Sequence, residues 1–95
     1  MGKSGNEKVV KVHLPGHLAG LAGDRRVVAG HGDTVEEVLA SVREQFPGLS
    51  EALGGAGMAS FSIYINDAAV EAREGLRTKV RDGDDIYLVV PLAGG

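Results

Sequence analysis

The chain has 95 residues, a net charge of -3 and no cysteine. That length suits a single domain spanning residues 1–95 with one modest core, and no apolar run approaches the roughly 20 residues of a membrane-spanning helix. The absence of cysteine excludes disulfides, thiolate metal sites and thiol-based catalysis.

Charge and composition also narrow the class of partner and the compartment. The basic residues are scattered, and the chain has only two tyrosines, two phenylalanines and no tryptophan, a composition that does not favour a nucleic-acid partner. Residues 1–7 are polar and lack the apolar stretch of a signal peptide. We therefore expect a cytoplasmic protein with a disordered start and no membrane partner.

The first third of the chain predicts two strands joined as a wide hairpin. Alternation over residues 8–14 predicts a half-buried strand with its apolar side chains on one face. Residues 17–24 hold two leucines among small residues and predict a partly packed loop. Residues 25–29 predict a short second strand.

A helix is predicted to begin after Thr34. The Thr34 hydroxyl can cap the helix while Glu37 reaches back, as in a capping box. Pro47 ends the helix, because the residue before a proline is pushed out of the helical region. The apolar residues of the segment follow the spacing of one buried stripe: Val35, Val38, Leu39, Val42 and Phe46. This stripe needs a sheet to cover it.

The second half predicts three further strands. Residues 60–65 alternate with one apolar face, and the pair Asn66-Asp67 favours a tight hairpin turn that returns as a short strand over 69–71. Residues 86–90 are a continuous apolar run. Such a run predicts a central strand that is buried on both faces.

Two strands, one helix and three strands predict an α+β fold. The economical arrangement is a mixed sheet of about five strands with one main helix packed across it. The last strand is the most hydrophobic and is predicted at the centre. The residues that follow it, 91–95, then leave the sheet as a flexible, protruding tail.

The histidines and the acidic turn predict no catalytic or metal site. His13, His17 and His31 lack the spacing of helical metal ligands and have no cysteine partners. The carboxylates of residues 82–85 favour local backbone hydrogen bonds over acid–base catalysis. We therefore expect no metal site and no catalytic constellation in the chain itself.

Four segments carry a resemblance, and they follow one another in a fixed order. They are Gly32-Asp33-Thr34-Val35, Ile63-Tyr64-Ile65-Asn66-Asp67, Asp82-Gly83-Asp84-Asp85-Ile86 and Pro91-Leu92-Ala93-Gly94-Gly95. In this order they resemble the β-grasp (ubiquitin-like) sulfur carrier proteins of the ThiS/MoaD family. The chain length and the inserted loop before Phe61 are most similar to the longer carriers that feed bacterial cysteine synthesis.

The resemblance implies that the chemistry takes place on the carboxylate of Gly95. In such proteins an E1-like adenylating enzyme of the ThiF/MoeB type uses ATP to adenylate the terminal carboxylate. The product becomes a thiocarboxylate, which gives its sulfur to an accepting synthase. Gly94 and Gly95 have no side chain that would block a narrow channel. The chain is then a protein co-substrate, not an enzyme, and binds no cofactor. The expected partner contacts are Val89, Pro91, Leu92 and Ala93.

Two other roles remain open for the same tail. A ubiquitin-like modifier would form an isopeptide bond between Gly95 and a lysine. The small subunit of molybdopterin synthase would insert the tail into a large catalytic subunit. The sequence does not distinguish molybdopterin, thiamin, cysteine and secondary-metabolite biosynthesis as the pathway that receives the sulfur.

Overall fold

A five-stranded mixed sheet forms the frame of the molecule. The computed structural model describes residues 8–54 and 61–90. The strands lie in the spatial order β2-β1-β5-β3-β4, and β1 runs parallel to β5 while the other neighbours are antiparallel. Their bounds are β1 (Val9–His13), β2 (Val27–His31), β3 (Ser62–Ile65), β4 (Ala68–Ala69) and β5 (Asp85–Val89). The last strand therefore lies at the centre, as predicted.

The main helix is α2 (Val35–Gln45). In the sequence, one single-turn helix, α1 (Gly16–Ala19), precedes it and another, α3 (Ser50–Leu53), follows it. The Glu37 amide donates to Thr34 Oγ1 over 3.2 Å, which confirms the predicted cap. The Glu37 carboxylate accepts from the amide of Asp33 at 2.8 Å, so the box closes one residue before the position that the motif predicts. The first bond satisfies a helix-end amide that has no partner inside the helix, and the second ties the residue before the cap to the first turn.

The apolar stripe of α2 packs against the sheet and forms the core. Val35, Val38, Leu39 and Val42 are buried, and Phe46 is partly buried. The buried hydrophobic side chains that the strands contribute are those of Val10, Val12, Val28, Ile63, Ile65, Ile86 and Leu88. This is the predicted α+β arrangement, a β-grasp fold with one main helix across a mixed sheet.

Element boundaries differ from the prediction by one or two residues in β1, β3 and β5, and the structure differs further in two other places. Residues 17–24, expected as a loop, contain helical turns, and left-handed backbone at Gly23 and Asp24 (φ 67° and 66°) delays β2 by two residues. The return strand expected over 69–71 is only Ala68–Ala69. The chain leaves it in a 3-10 turn, Val70–Ala72, because Val70 turns into the core.

The prediction that the last strand is buried on both faces is wrong. Ile86 and Leu88 are buried, but Tyr87 is 37% exposed and Val89 is 43% exposed. α1, α2 and α3 each contribute buried residues to the same core, and those residues join Ile86 and Leu88 on one face of the sheet. The apolar residues of β5 that point to the opposite face remain exposed.

Within the described residues, no helix is long and apolar enough to cross a membrane. The expectations for residues 1–7, a disordered start, and for residues 91–95, a protruding tail, fall outside the part of the chain that the structure describes. The assignment of residues 1–95 to a single domain stays a prediction.

Candidate functional site

The tail begins where the central strand ends. Val89 is the last residue of β5 and pairs with Ser62 of β3, while β1 borders the other side of β5 through the pair His13 and Tyr87. The next residue, Val90, is 41% exposed. The chain therefore leaves the sheet from its middle and from an exposed position.

The reactive end of the tail lies outside the described residues. The predicted roles of Gly94 and Gly95, and of Pro91, Leu92 and Ala93 as partner contacts, consequently stay predictions. Five residues reach at most about 17 Å when fully extended. A partner that acts on Gly95 can therefore also contact the part of the sheet around Val90.

The face of the sheet opposite α2 carries most of the exposed apolar surface. We call it the open sheet face. Eight large apolar residues are exposed among the described residues, and the alternation of the strands places five of them on this face: Val9, Val27, Tyr64, Tyr87 and Val89. Exposed apolar residues grouped in this way are typical of a protein–protein contact surface.

A polar pair lies in the middle of the open sheet face. His13 Nε2 is 2.9 Å from Asp85 Oδ1, and the His13 ring stacks on Tyr87 with a centroid distance of 4.2 Å and an interplanar angle of 15°. Lys11 lies opposite Asp85 in the β1–β5 register. The centre of this face therefore carries charge, while the residues around it are mostly apolar.

Sequence reasoning found one residue of this surface, Val89, and its role as a partner contact stays a prediction. It missed Tyr87, because residues 86–90 are apolar throughout and hide the alternation between a buried and an exposed face. Tyr64 lies opposite the predicted apolar face of residues 60–65, and it was not recognised as a contact residue. One signal was available. A single apolar stripe on one main helix can cover only one face of a sheet. No predicted element was therefore left to cover the face that holds the odd-numbered residues of β5.

The acidic turn before β5 confirms the predicted local backbone hydrogen bond for Asp84 only, since Asp82 accepts from another strand and Asp85 contacts a side chain. Asp82 Oδ1 accepts from the amide of Val9 at 2.9 Å, and Asp84 Oδ2 accepts from the amide of Arg81 at 2.8 Å. Over residues 8–54 and 61–90 there is no group of three His, Cys, Asp or Glu side chains that could hold a metal ion. These carboxylates hold the turn that directs β5 into the sheet.

The sequence matches the ThiS family over residues 12–95. The chain belongs to the ThiS family. A curated relative from Mycobacterium tuberculosis, the sulfur carrier protein CysO, is 32% identical over an alignment of 91 residues that covers 90% of this chain and 98% of that protein. The family match extends to residue 95 and therefore includes the diglycine terminus of this ThiS-family chain.

Solved structures show the same fold over nearly the whole chain. CysO in the BexX/CysO complex of Amycolatopsis orientalis superimposes with a TM-score of 0.80 at 30% identity, covering 90% of this chain and 99% of that one. The small archaeal modifier protein 1 from Methanosarcina acetivorans gives a TM-score of 0.79 at 29% identity and covers 95% and 99% of the two chains. These similarities confirm the β-grasp fold of this ThiS-family protein.

Proposed function

We propose that this chain carries sulfur on the carboxyl group of Gly95 and delivers it to a biosynthetic enzyme. The chain belongs to the ThiS family and is 32% identical to the sulfur carrier CysO over almost the full length of that protein. These similarities place the chain in the class of sulfur carriers, which are not enzymes themselves. The observation that carries the proposal is the position of the tail in the chain and on the sheet. The family match extends through residue 95, and the chain leaves the centre of the sheet at the exposed Val90.

The chemistry requires an activated carboxyl group. A carboxylate is a poor electrophile, so an E1-like adenylating enzyme uses ATP to form the acyl adenylate of Gly95 and releases pyrophosphate. Sulfide then attacks the acyl carbon and expels AMP, which leaves a thiocarboxylate. The chain contains no cysteine, so no side-chain thiol competes for the sulfur. In this proposal ATP binds to the partner, and the chain itself binds no cofactor.

Two partners use the same surface in turn. The adenylating enzyme and the sulfur-accepting synthase both receive the tail, and both contact the open sheet face beside its root. The solved structure of CysO with BexX supports a protein partner for this type of chain. We place these steps in the cytoplasm and include neither a nucleic acid nor a membrane among the partners.

Intact-mass spectrometry tests the proposal. The full chain is incubated with an E1-like adenylating enzyme, ATP and sulfide, and Gly95 is expected to exchange one oxygen for sulfur. Two altered chains serve as comparisons: one lacks Gly95, and the other carries an extra alanine after it. Neither is expected to form the same thiocarboxylate at residue 95. Failure of the full chain to exchange, or equal exchange in the chain that lacks Gly95, would contradict the proposal.

A second function is favoured by the likeness to small archaeal modifier protein 1. A modifier would join the carboxyl group of Gly95 to a lysine of another protein. The last basic residue of this chain is Arg81, so trypsin would leave residues 82–95 as a branch on the modified lysine. Such branched peptides from cell extract would support the modifier function, whereas thiocarboxylate without branched peptides would support the carrier function alone.

A further inference from the structure

The open sheet face carries a hydrogen-bonded histidine–aspartate pair where its two inner strands meet. His13 is on β1 and Asp85 is on β5, and the 2.9 Å contact between Nε2 and Oδ1 joins them across the sheet. The side chains are 30% and 32% exposed. A partner that docks on this face therefore reaches both groups.

The surroundings of the pair are mostly apolar. Val27 pairs with His13 on the β2 side. Tyr87 stacks on the His13 ring, and Tyr64 pairs with Tyr87 on the β3 side. Lys11 is the charged neighbour, since it lies opposite Asp85 in the strand register. Partner residues that pack on the valine and the tyrosines must therefore also cover His13 and Asp85.

Covering the pair removes the water that now solvates it. Among the described residues, the Asp85 carboxylate has one hydrogen-bond partner, His13, which contacts Oδ1. The other carboxylate oxygen depends on solvent. Removing water from a charged oxygen costs much free energy unless a hydrogen-bond donor replaces the water. This cost selects against partner surfaces that have no donor at this position.

We propose that His13 and Asp85 determine which partners bind the open sheet face. The matching partner presents an apolar surface with a hydrogen-bond donor, such as an arginine or a backbone amide, to the free oxygen of Asp85. A purely apolar surface of the same shape is rejected. This inference rests on the proposed function, because it assumes that the adenylating enzyme docks beside the tail.

The test compares two substitutions that make the same change in charge. Asp85→Asn removes the carboxylate from the open sheet face. Asp33→Asn removes one from the opposite side, where Asp33 pairs with Lys8 at 3.2 Å and is 68% exposed. Dissociation constants are measured by calorimetry with a purified adenylating enzyme that binds the wild-type chain. Asp85→Asn is expected to weaken binding about 10- to 100-fold, as loss of a buried, hydrogen-bonded charge does, and Asp33→Asn less than about twofold.

A third variant separates recognition from folding. His13→Phe keeps a ring to stack on Tyr87 but leaves Asp85 without its imidazole partner. We expect weakened binding in this variant and thermal unfolding close to that of the wild type, because a pair that is one-third exposed adds little stability. Equal binding by the Asp85 and Asp33 variants, or losses of affinity that follow losses of stability, would overturn the inference. Thiocarboxylate formation by the wild-type chain, measured with the same enzyme after ATP and sulfide are added, reports separately on the proposed function.

Discussion

Gly30 sets the distance between β2 and α2. A Cβ at this position would lie 2.6 Å from Cγ1 of Val38 and 3.2 Å from Cγ2 of Val42, and both valines belong to the buried stripe. We expect Gly30→Ala to lower the free energy of unfolding by about 1–3 kcal/mol, the usual cost of overpacking a core. Urea denaturation measures the change.

Gly20→Ala is the matched control for that substitution. Nothing lies within 4 Å of a Cβ at Gly20, and its backbone is already helical, with φ -64° and ψ -21°. Alanine there should leave stability unchanged or raise it by about 0.4–1 kcal/mol, because it restricts the unfolded chain. Equal unfolding midpoints for the two variants would contradict the role assigned to Gly30.

These residues also show which local features a sequence reveals. Thr34 and Glu37 lie three positions apart in one helix start, so the cap was predictable from their spacing. Asn66 was predictable as a turn residue and has the expected positive φ of 54°. Gly30 was not predictable, since its importance depends on side chains of α2 that approach it only in the folded protein.

The exposed edge of β2 is covered by side chains of α2. Gln45 Nε2 donates to the carbonyl oxygen of Ala29 at 2.7 Å, and the amide of His31 donates to Ser41 Oγ at 2.8 Å. β2 lies at the end of the strand order, where free backbone groups invite pairing with another chain. The two side chains occupy two of these groups and make pairing between edges less favourable.

The double variant Ser41→Ala/Gln45→Ala tests this protection. We expect a larger fraction of dimers and higher oligomers than in the wild type, measured by sedimentation velocity over a range of protein concentrations. Glu44→Ala is the control, because Glu44 is exposed on the same helix and its loss leaves both edge contacts in place. If the double variant and the control sediment alike, Ser41 and Gln45 do not protect the edge of β2 against pairing with another chain.

The central strand shows where element prediction fails. Its position was predictable, because residues 86–90 are the most hydrophobic run of the chain. Its exposure was not, because an apolar run looks the same whether it is buried on both faces or serves as a contact surface on one. Tyr87 and Val89 are the exposed residues of this run, and a role as contact surface is what we propose for them. The candidate surface beside the tail was therefore mostly hidden in the sequence, whereas the tail itself was evident.

The two faces of the sheet have different surroundings. The core lies on the α2 side of the strands, and the open sheet face lies on the other. Alternation sends neighbouring residues of one strand to opposite sides, so β3 contributes Ile63 and Ile65 to the core and Tyr64 to the candidate contact surface. Substitutions on the two sides should therefore have separable effects.

Tyr64→Ser and Leu39→Ala are the substitutions that test this separation. Tyr64 is 38% exposed on the open sheet face, and Leu39 is 1% exposed in the core. We expect Tyr64→Ser to weaken binding to the adenylating enzyme about tenfold, or roughly 1.4 kcal/mol, with a change in unfolding free energy below about 1 kcal/mol. Leu39→Ala should lower the unfolding free energy by about 2–5 kcal/mol.

The binding measurement must be made where both variants are folded, because a domain of this size has only about 5–15 kcal/mol of stability to lose. At low temperature, with folding monitored by circular dichroism, Leu39→Ala should bind within about twofold of the wild type, since the open sheet face keeps its side chains. If affinity instead falls in both variants in proportion to their lost stability, the two faces are coupled. The open sheet face would then report the integrity of the fold and would not be an independent contact surface.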